Sequence, residues 1–232
     1  MESEANFSAL PCIHESAPHG HGAVMTATVF STLVYFLFLV LVQSTPMFSV
    51  SAGFWEEAER AKILVEKILK EIPVVHATTV SAEGLTLEPS NQETQLQMMM
   101  TSLGIPASPV LKPLSERFSV DMCTHRMWIG GQLHQRLLGV LSDRLSGLSD
   151  LTVDLRDLLT HITKMREGAR PGAHLSDQDQ TADLGLSSRL HSNYELQVAV
   201  HMTLTQLRSF CYDMIRSLRE FATYRRSLAT AR

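Results

Sequence analysis

Residues 149–166 carry the most regular pattern of the chain. Five apolar side chains follow one another there at steps of four and three residues: Leu151, Leu155, Leu158, Ile162 and Met165. At about 100° per residue these positions fall on one side of an α-helix, so the pattern predicts a helix with an apolar stripe. A single helix of this kind is stable only when neighbouring elements bury its stripe.

Three other segments show the same spacing of apolar residues. We predict long helices over Phe54–Ile72, from Pro113 to about Leu145, and from about Ser188 to Tyr224. Pro73 is expected to end the first of them, because proline lacks the N–H that a helix interior needs. The connection that follows contains Asn91–Leu103, whose sequence predicts a short additional helix.

Two adjacent glycines, Gly130 and Gly131, interrupt the second predicted helix. Each costs about 1 kcal/mol relative to alanine in a helix interior. Either a close contact with a neighbouring helix compensates this cost, or the helix is kinked at this point.

The connection lengths restrict how four helices can be arranged. Only residues 146–148 join the second and third predicted helices, so these two should be antiparallel neighbours. The other two connections are long enough to cross the bundle, and they allow the first pair and the last pair each to run parallel. Residues 53–232 are therefore predicted to form an all-α, up-up-down-down four-helix bundle, which is the long-chain cytokine arrangement.

An apolar run of 14 residues, Val29–Val42, precedes this domain. It is short for a membrane span of about 20 residues but fits the apolar core of a secretory signal. We predict a signal peptide over residues 25–52, cleaved after Ala52, and an N-terminal extension over residues 1–24. Met25 is an alternative initiator to Met1.

Two features argue against a simple cleaved signal: the run begins far from Met1, and no Lys or Arg precedes it. The alternative is an uncleaved signal anchor, for which the missing positive flank gives no clear orientation. The chain would then be a membrane-anchored helical adaptor. Cleavage would instead give a secreted protein with no membrane contact, and the fate of this segment separates the two hypotheses.

Composition and motifs argue against several functional classes. The formal net charge is −4 and charges of both signs are interspersed, so there is no basic face for nucleic acid. The chain contains no common catalytic or phosphate-binding motif, and the histidines beyond residue 52 are scattered along the sequence. We predict that the protein is not an enzyme and that it has no cofactor or metal.

Three acidic residues of the third predicted helix, Asp150, Asp154 and Asp157, lie along one flank of its apolar stripe. Solvation of an exposed helix face is the simple interpretation of such a cluster. The alternative interpretation is a row of carboxylates at the solvent edge that a partner protein contacts.

Two segments resemble the granulocyte colony-stimulating factor family of long-chain cytokines. One is TSLGIPASPVL over residues 101–111, and the other is LTVDLRDLLTHI over residues 151–162. A set of residues in the second predicted helix recurs at that family's spacing: Cys123, Gly130, Leu133, Gln135, Leu137, Leu138 and Leu141. The resemblance implies a secreted haematopoietic cytokine that bridges class I receptor ectodomains and stimulates cells of the granulocyte lineage.

The resemblance also implies which residues contact a receptor similar to that of granulocyte colony-stimulating factor. Asp154 and Asp157 match the two receptor-facing acids of the third helix, with Asp150 one turn before them. The corresponding acid of the first helix is Glu57 or Glu59 by position. Glu93 of the short helix is the nearest candidate for a second contact, and the protein is expected to be a monomer before it binds a receptor.

Cysteine usage departs from the resembled family. Cys123 matches a disulfide-bonded position, but its usual partner is missing. A bridge to Cys211 on the last helix is one alternative. The other, which we favour, is two buried free thiols, because the two heights along the bundle differ by roughly 9 Å at about 1.5 Å per residue, more than the separation of about 7 Å that a disulfide spans.

Overall fold

The structure is a computed structural model that describes residues 51–88, 93–115, 118–169 and 185–230. These residues form helices and no strand; the one β-type element in them is a single bridge between Ser115 and Phe118. The helices are α1 (Ala52–Thr79), α2 (Glu93–Ser102), α3 (Val120–Ser142), α4 (Ser149–Ala169), α5 (Leu186–Arg189) and α6 (Asn193–Thr230). The prediction of an all-α fold is confirmed. The predicted N-terminal extension and nearly all of the predicted signal peptide lie outside the described residues.

The four long helices pack as a bundle in which α1 and α3 each contact both α4 and α6. Helix α1 is antiparallel to both α4 and α6. Near the start of α1, Phe54 lies against Gly168 at the end of α4, while Thr79 at the end of α1 lies 3.4 Å from the Cβ position of Gly147, just before α4. The ring of Phe54 also lies 5.6 Å from that of Phe221 late in α6.

The same direction holds for the contacts of α3. The guanidinium of Arg166, late in α4, lies 4.4 Å from the ring centroid of Trp128, which is early in α3. The N–H of Leu114, which precedes α3, donates to Glu220 of α6. His134, further along α3, lies 5.6 Å from the earlier Phe210 of α6 by ring centroids. Antiparallel contacts therefore surround a core that runs the length of the bundle.

The predicted apolar stripes of α1, α4 and α6 lie in the core. All five stripe residues of α4 are buried, as are the six of α1 (Phe54, Ala58, Ala61, Val65, Ile68 and Ile72) and the seven of α6 (Val200, Leu204, Leu207, Cys211, Met214, Leu218 and Phe221). The stripe of α3 is only partly buried, since Leu133 and Val140 are half-buried. Side-chain caps fix where some of these helices begin. Ser119 Oγ accepts the N–H of Met122 at the start of α3, and Ser192 and Glu195 form a reciprocal capping box at the start of α6.

The prediction that Pro73 ends the first helix is wrong. Helix α1 continues through Pro73 to Thr79, although an interior proline removes one hydrogen bond and costs about 3 kcal/mol. The buried face continues as well, since both His76 and Thr79 are inside. His76 Nε2 lies 3.0 Å from His201 Nδ1 of α6, so tertiary contacts hold the segment that follows the proline.

Two other predicted helix starts are too early. Helix α3 begins at Val120 and not at Pro113, because the backbone groups of Ser115 and Phe118 hydrogen-bond to each other and not in a helical pattern. Helix α6 begins at Asn193 and not near Ser188, since α5 is a separate single turn that starts after Gly185 in the left-handed conformation.

The two glycines of α3 mark close helix contacts. A Cβ atom on Gly130 would lie 2.2 Å from Cζ of Phe210, and one on Gly131 would lie 2.7 Å from Cδ2 of Leu159. Only hydrogen fits at these two positions, so the close-contact interpretation explains why glycine is tolerated inside this helix.

Cys123 and Cys211 are both free and completely buried. Burial raises the pKa of the Cys123 thiol to about 11, and it raises that of Cys211 as well. Both therefore pack as neutral apolar groups.

None of the described helices has a stretch that is long and apolar enough to cross a membrane.

Candidate functional site

The acids singled out from the sequence lie on and around the outer face formed by α1 and α4, which we call the α1–α4 face. It comprises the outward residues of the two antiparallel helices, from Glu57 to Lys67 on α1 and from Val153 to Lys164 on α4. The structure separates these acids into those engaged inside the protein and those left exposed.

Asp154 is one of the engaged acids, and its predicted position at the solvent edge is wrong. Its residue is 6% exposed, and its Oδ1 accepts a hydrogen bond of 2.7 Å from Lys67 Nζ. Its Oδ2 is buried and has no hydrogen-bond partner among the described residues. Helix α1 covers this side of α4, which the periodicity of α4 alone cannot show.

Glu71 extends the group around Asp154. Its carboxylate lies 3.6 Å from Lys67 Nζ, so one ammonium group serves two carboxylates. Burial, followed by the neighbouring Asp154 charge, raises the pKa of Glu71. The hydrogen bond to Asp154 raises the pKa of Lys67. These three residues connect α1 to α4 and leave little of Asp154 for a partner.

Glu57 is also engaged inside the protein. Its carboxylate lies 2.5 Å from His161 Nδ1, 3.3 Å from Arg60 Nη1 and 3.8 Å from Lys164 Nζ. The hydrogen bond with His161 is the main reason why the pKa of Glu57 is lowered. Glu57 therefore fixes the register between α1 and α4, and only 13% of its side chain is exposed.

Asp157 is different, because its side chain is exposed and borders a shallow depression on the α1–α4 face. Ile63 and Leu64 give this depression an apolar floor, and Arg60 and Thr160 lie on its rim. Ile63 is 65% exposed, so an apolar side chain lies at the surface beside the Asp157 carboxylate. The depression thus combines an apolar centre with polar groups of both charges.

Of the remaining predicted contacts, none lies in this depression. Asp150 is exposed in the first turn of α4. Glu59 is exposed on α1, where it borders a separate depression with Phe221 and Arg225 of α6. Glu93 begins α2, and its side chain lies outside the described residues.

The sequence contains a signal for the apolar part of the face that the periodicity argument passed over. Ile63 on α1 and Val153 on α4 are apolar residues off the buried stripes, and both are exposed. Val153 lies four residues before Asp157, so the two side chains share one side of α4. Apolar residues outside a stripe point to a contact surface more directly than acids do.

Two histidines that the sequence analysis treated as scattered meet in the core. His76 and His201 are both buried and within hydrogen-bond distance. Burial lowers the pKa of both, that of His201 to about 4. Among the described residues, no three histidine, cysteine or acidic side chains are placed to hold a metal ion.

No protein-family model matches the chain, and no curated protein sequence matches it significantly.

Proposed function

We propose that the protein is a secreted four-helix cytokine, similar to granulocyte colony-stimulating factor, that binds and bridges class I receptor ectodomains. The observation that carries the proposal is the exposed apolar depression beside Asp157 on a bundle of four long helices. An exposed apolar side chain next to a carboxylate is a combination that a partner protein can cover with an apolar group and a cation.

The arrangement of the bundle supports the same proposal. The antiparallel contacts of α1 and α3 with α4 and α6 fit the up-up-down-down topology of long-chain cytokines. The long segment from the end of α1 to the start of α3 and the short turn before α4 fit the long and short connections of that topology.

Chemically, the depression suits a receptor loop that inserts an apolar side chain and offers an Arg or Lys to Asp157. An apolar centre supplies affinity, while a charged rim supplies specificity and faster encounter. Asp154 and Glu57 do not contact the receptor loop in this proposal. They connect the two helices that form the depression.

Receptor binding by variants of the full chain tests the proposal. We expect Ile63→Glu and Asp157→Lys each to weaken binding to an immobilised class I cytokine receptor ectodomain by about tenfold or more. The Glu83→Lys variant is the control, because it makes the same change of charge at an exposed residue outside the α1–α4 face. Equal binding by all of these variants would remove the α1–α4 face as the receptor site.

Secretion has its own test. Chain expressed in animal cells should appear in the medium with an N-terminus near Gly53, as read by N-terminal sequencing. Full-length chain retained in membranes would instead support the membrane-anchored adaptor.

A further inference from the structure

A second surface feature lies on α6, where the segment that precedes α3 crosses it. It is a groove of about 830 Å³ that we call the α6 groove. Leu114 lines one side, and Tyr212, Ile215, Arg216 and Arg219 line the other. The α6 groove shares no residue with the depression beside Asp157.

The floor of the α6 groove is apolar and aromatic. Ile215 is nearly buried at its base, Leu114 is half-buried, and Tyr212 is 53% exposed. Tyrosine is enriched at the centre of protein interfaces, because its ring buries a large area at a small entropy cost while its hydroxyl stays hydrogen-bonded. A floor of this kind favours a ligand with an apolar side chain.

The charged side chains that line the α6 groove are two arginines, Arg216 and Arg219, and one glutamate, Glu220, so the lining has a net charge of +1. Arg216 and Arg219 are both exposed. The two nearby carboxylates are engaged inside the protein, since Asp213 accepts a hydrogen bond of 2.6 Å from Arg216 and Glu220 accepts one of 3.1 Å from the Leu114 N–H. A guanidinium has five N–H donors, so Arg216 retains donors for a second carboxylate.

We propose that the α6 groove binds an acidic segment of a partner protein that places an apolar side chain on the floor and carboxylates on Arg216 and Arg219. A sulfated sugar or a phosphate-rich polymer would pair with the arginines but leave the apolar floor uncovered. The proposal does not depend on the α1–α4 face. If both surfaces bind, the two partners are held on separate parts of the bundle.

Nuclear magnetic resonance of the ¹⁵N-labelled full chain tests the proposal with two synthetic peptides. One is acetyl-Gly-Asp-Glu-Phe-Leu-Asp-Glu-Gly-amide, and the other has Asn and Gln in place of Asp and Glu. We expect the acidic peptide to shift the amide signals of Leu114 and of residues 212–224, with an affinity at least about fivefold higher than that of the neutral peptide.

Variants of the full chain identify the groups responsible. Arg216→Glu with Arg219→Glu should weaken binding of the acidic peptide by about tenfold or more. The matched control, Lys70→Glu with Arg156→Glu, makes the same charge change at exposed residues elsewhere and should bind nearly as the wild type does. Tyr212→Ala should weaken binding of both peptides, and Tyr212→Phe should restore it.

Three results would overturn the proposal. The first is that neither peptide shifts signals from the α6 groove. The second is that both peptides bind equally, or that the control variant loses as much affinity as the groove variant does. The third is self-association of the chain in sedimentation that is abolished by Arg216→Glu with Arg219→Glu, which would assign the groove to a second copy.

Discussion

The contact between α3 and α6 and the contact between α1 and α4 are stabilised in different ways. At the first, Gly130 receives the ring of Phe210 at a distance that leaves no room for a methyl group, and the neutral imidazole of His134 packs beside that ring. At the second, an apolar stripe is bordered by the Lys67–Asp154 and Glu57–His161 pairs. The first contact cannot change its side chains without repacking, whereas the outer residues of the second can vary while the stripe remains.

The α3–α6 contact therefore tolerates few substitutions, whereas the exposed residues beside the α1–α4 contact can be substituted without loss of the fold. Exposed side chains outside the two polar pairs of that contact, such as Ile63 and Asp157, are available for binding another protein, because the free energy of folding comes mainly from the buried stripe. The four predictions that follow test this distinction.

Acid should weaken the α3–α6 contact through His134. Burial lowers the pKa of His134 from 6.5 to about 4, so the unfolded chain takes up a proton before the folded one does. Stability is therefore complete above pH 6.5 and is lost as the pH falls towards 4, by on the order of 3 kcal/mol for this group. The His134→Leu variant should lack this loss of stability between pH 7 and pH 4, as measured by urea unfolding.

Some loss over the same interval should remain in His134→Leu, because burial also lowers the pKa of His76 and His201. His191→Gln, at an exposed position, is the control and should follow the wild type. The proposed role of His134 is wrong if His134→Leu and wild-type chain lose stability in parallel.

Gly130→Ala should lower the free energy of unfolding by about 1–3 kcal/mol, because the new methyl group meets the ring of Phe210. Gly139→Ala, in the same helix, meets no atom within 4 Å and should raise it by about 0.5–1 kcal/mol. Opposite signs in urea unfolding would support close packing at Gly130. Stabilisation by both substitutions would show that the α3–α6 contact yields easily.

Asp154→Ala should reduce stability by about 1 kcal/mol, because a buried charged hydrogen bond across the α1–α4 contact is lost. Asp157→Ala removes an exposed carboxylate and should change stability by less than about 0.5 kcal/mol. Thermal melting of the two single variants separates them. Equal melting would mean that Asp154 is as dispensable to the fold as the sequence pattern alone suggests.

Glu57→Gln should have the smallest effect, a few tenths of a kcal/mol, since one partially exposed ion pair contributes little. The pKa of Glu57 is lowered below 4.5, so its stabilisation is present above that pH and is lost as the pH falls further. In urea unfolding from pH 6 to pH 3, the free energy of unfolding should therefore decrease less steeply below pH 4.5 for the variant than for the wild type. A stability difference between the wild type and Glu57→Gln that stays unchanged or grows as the pH falls from 4.5 to 3 would contradict this assignment.

Most of the helical core could be predicted from periodicity, because burial of one helix face repeats every three or four residues whatever the partner is. The continuation of α1 through Pro73 could not be predicted in this way. The segment after the proline is held by contacts such as that between His76 and His201, which lie more than 100 residues apart in the sequence. The register between α1 and α4 was also out of reach, and this register decides that Asp154 is covered while Asp157 is not. Apolar residues off the stripe, such as Ile63, were readable from the sequence.

Pro73 gives α1 a consequence of its own. Beyond the proline, the helix lacks one internal hydrogen bond and relies on α6, so residues 74–79 form a turn whose folding is conditional on its neighbour. An isolated peptide with the sequence of α1 should stop being helical near residue 72. In the whole protein, residues 74–79 should become helical only after α6 has packed against them. Protection of their amides from hydrogen exchange would therefore follow assembly of the bundle during folding.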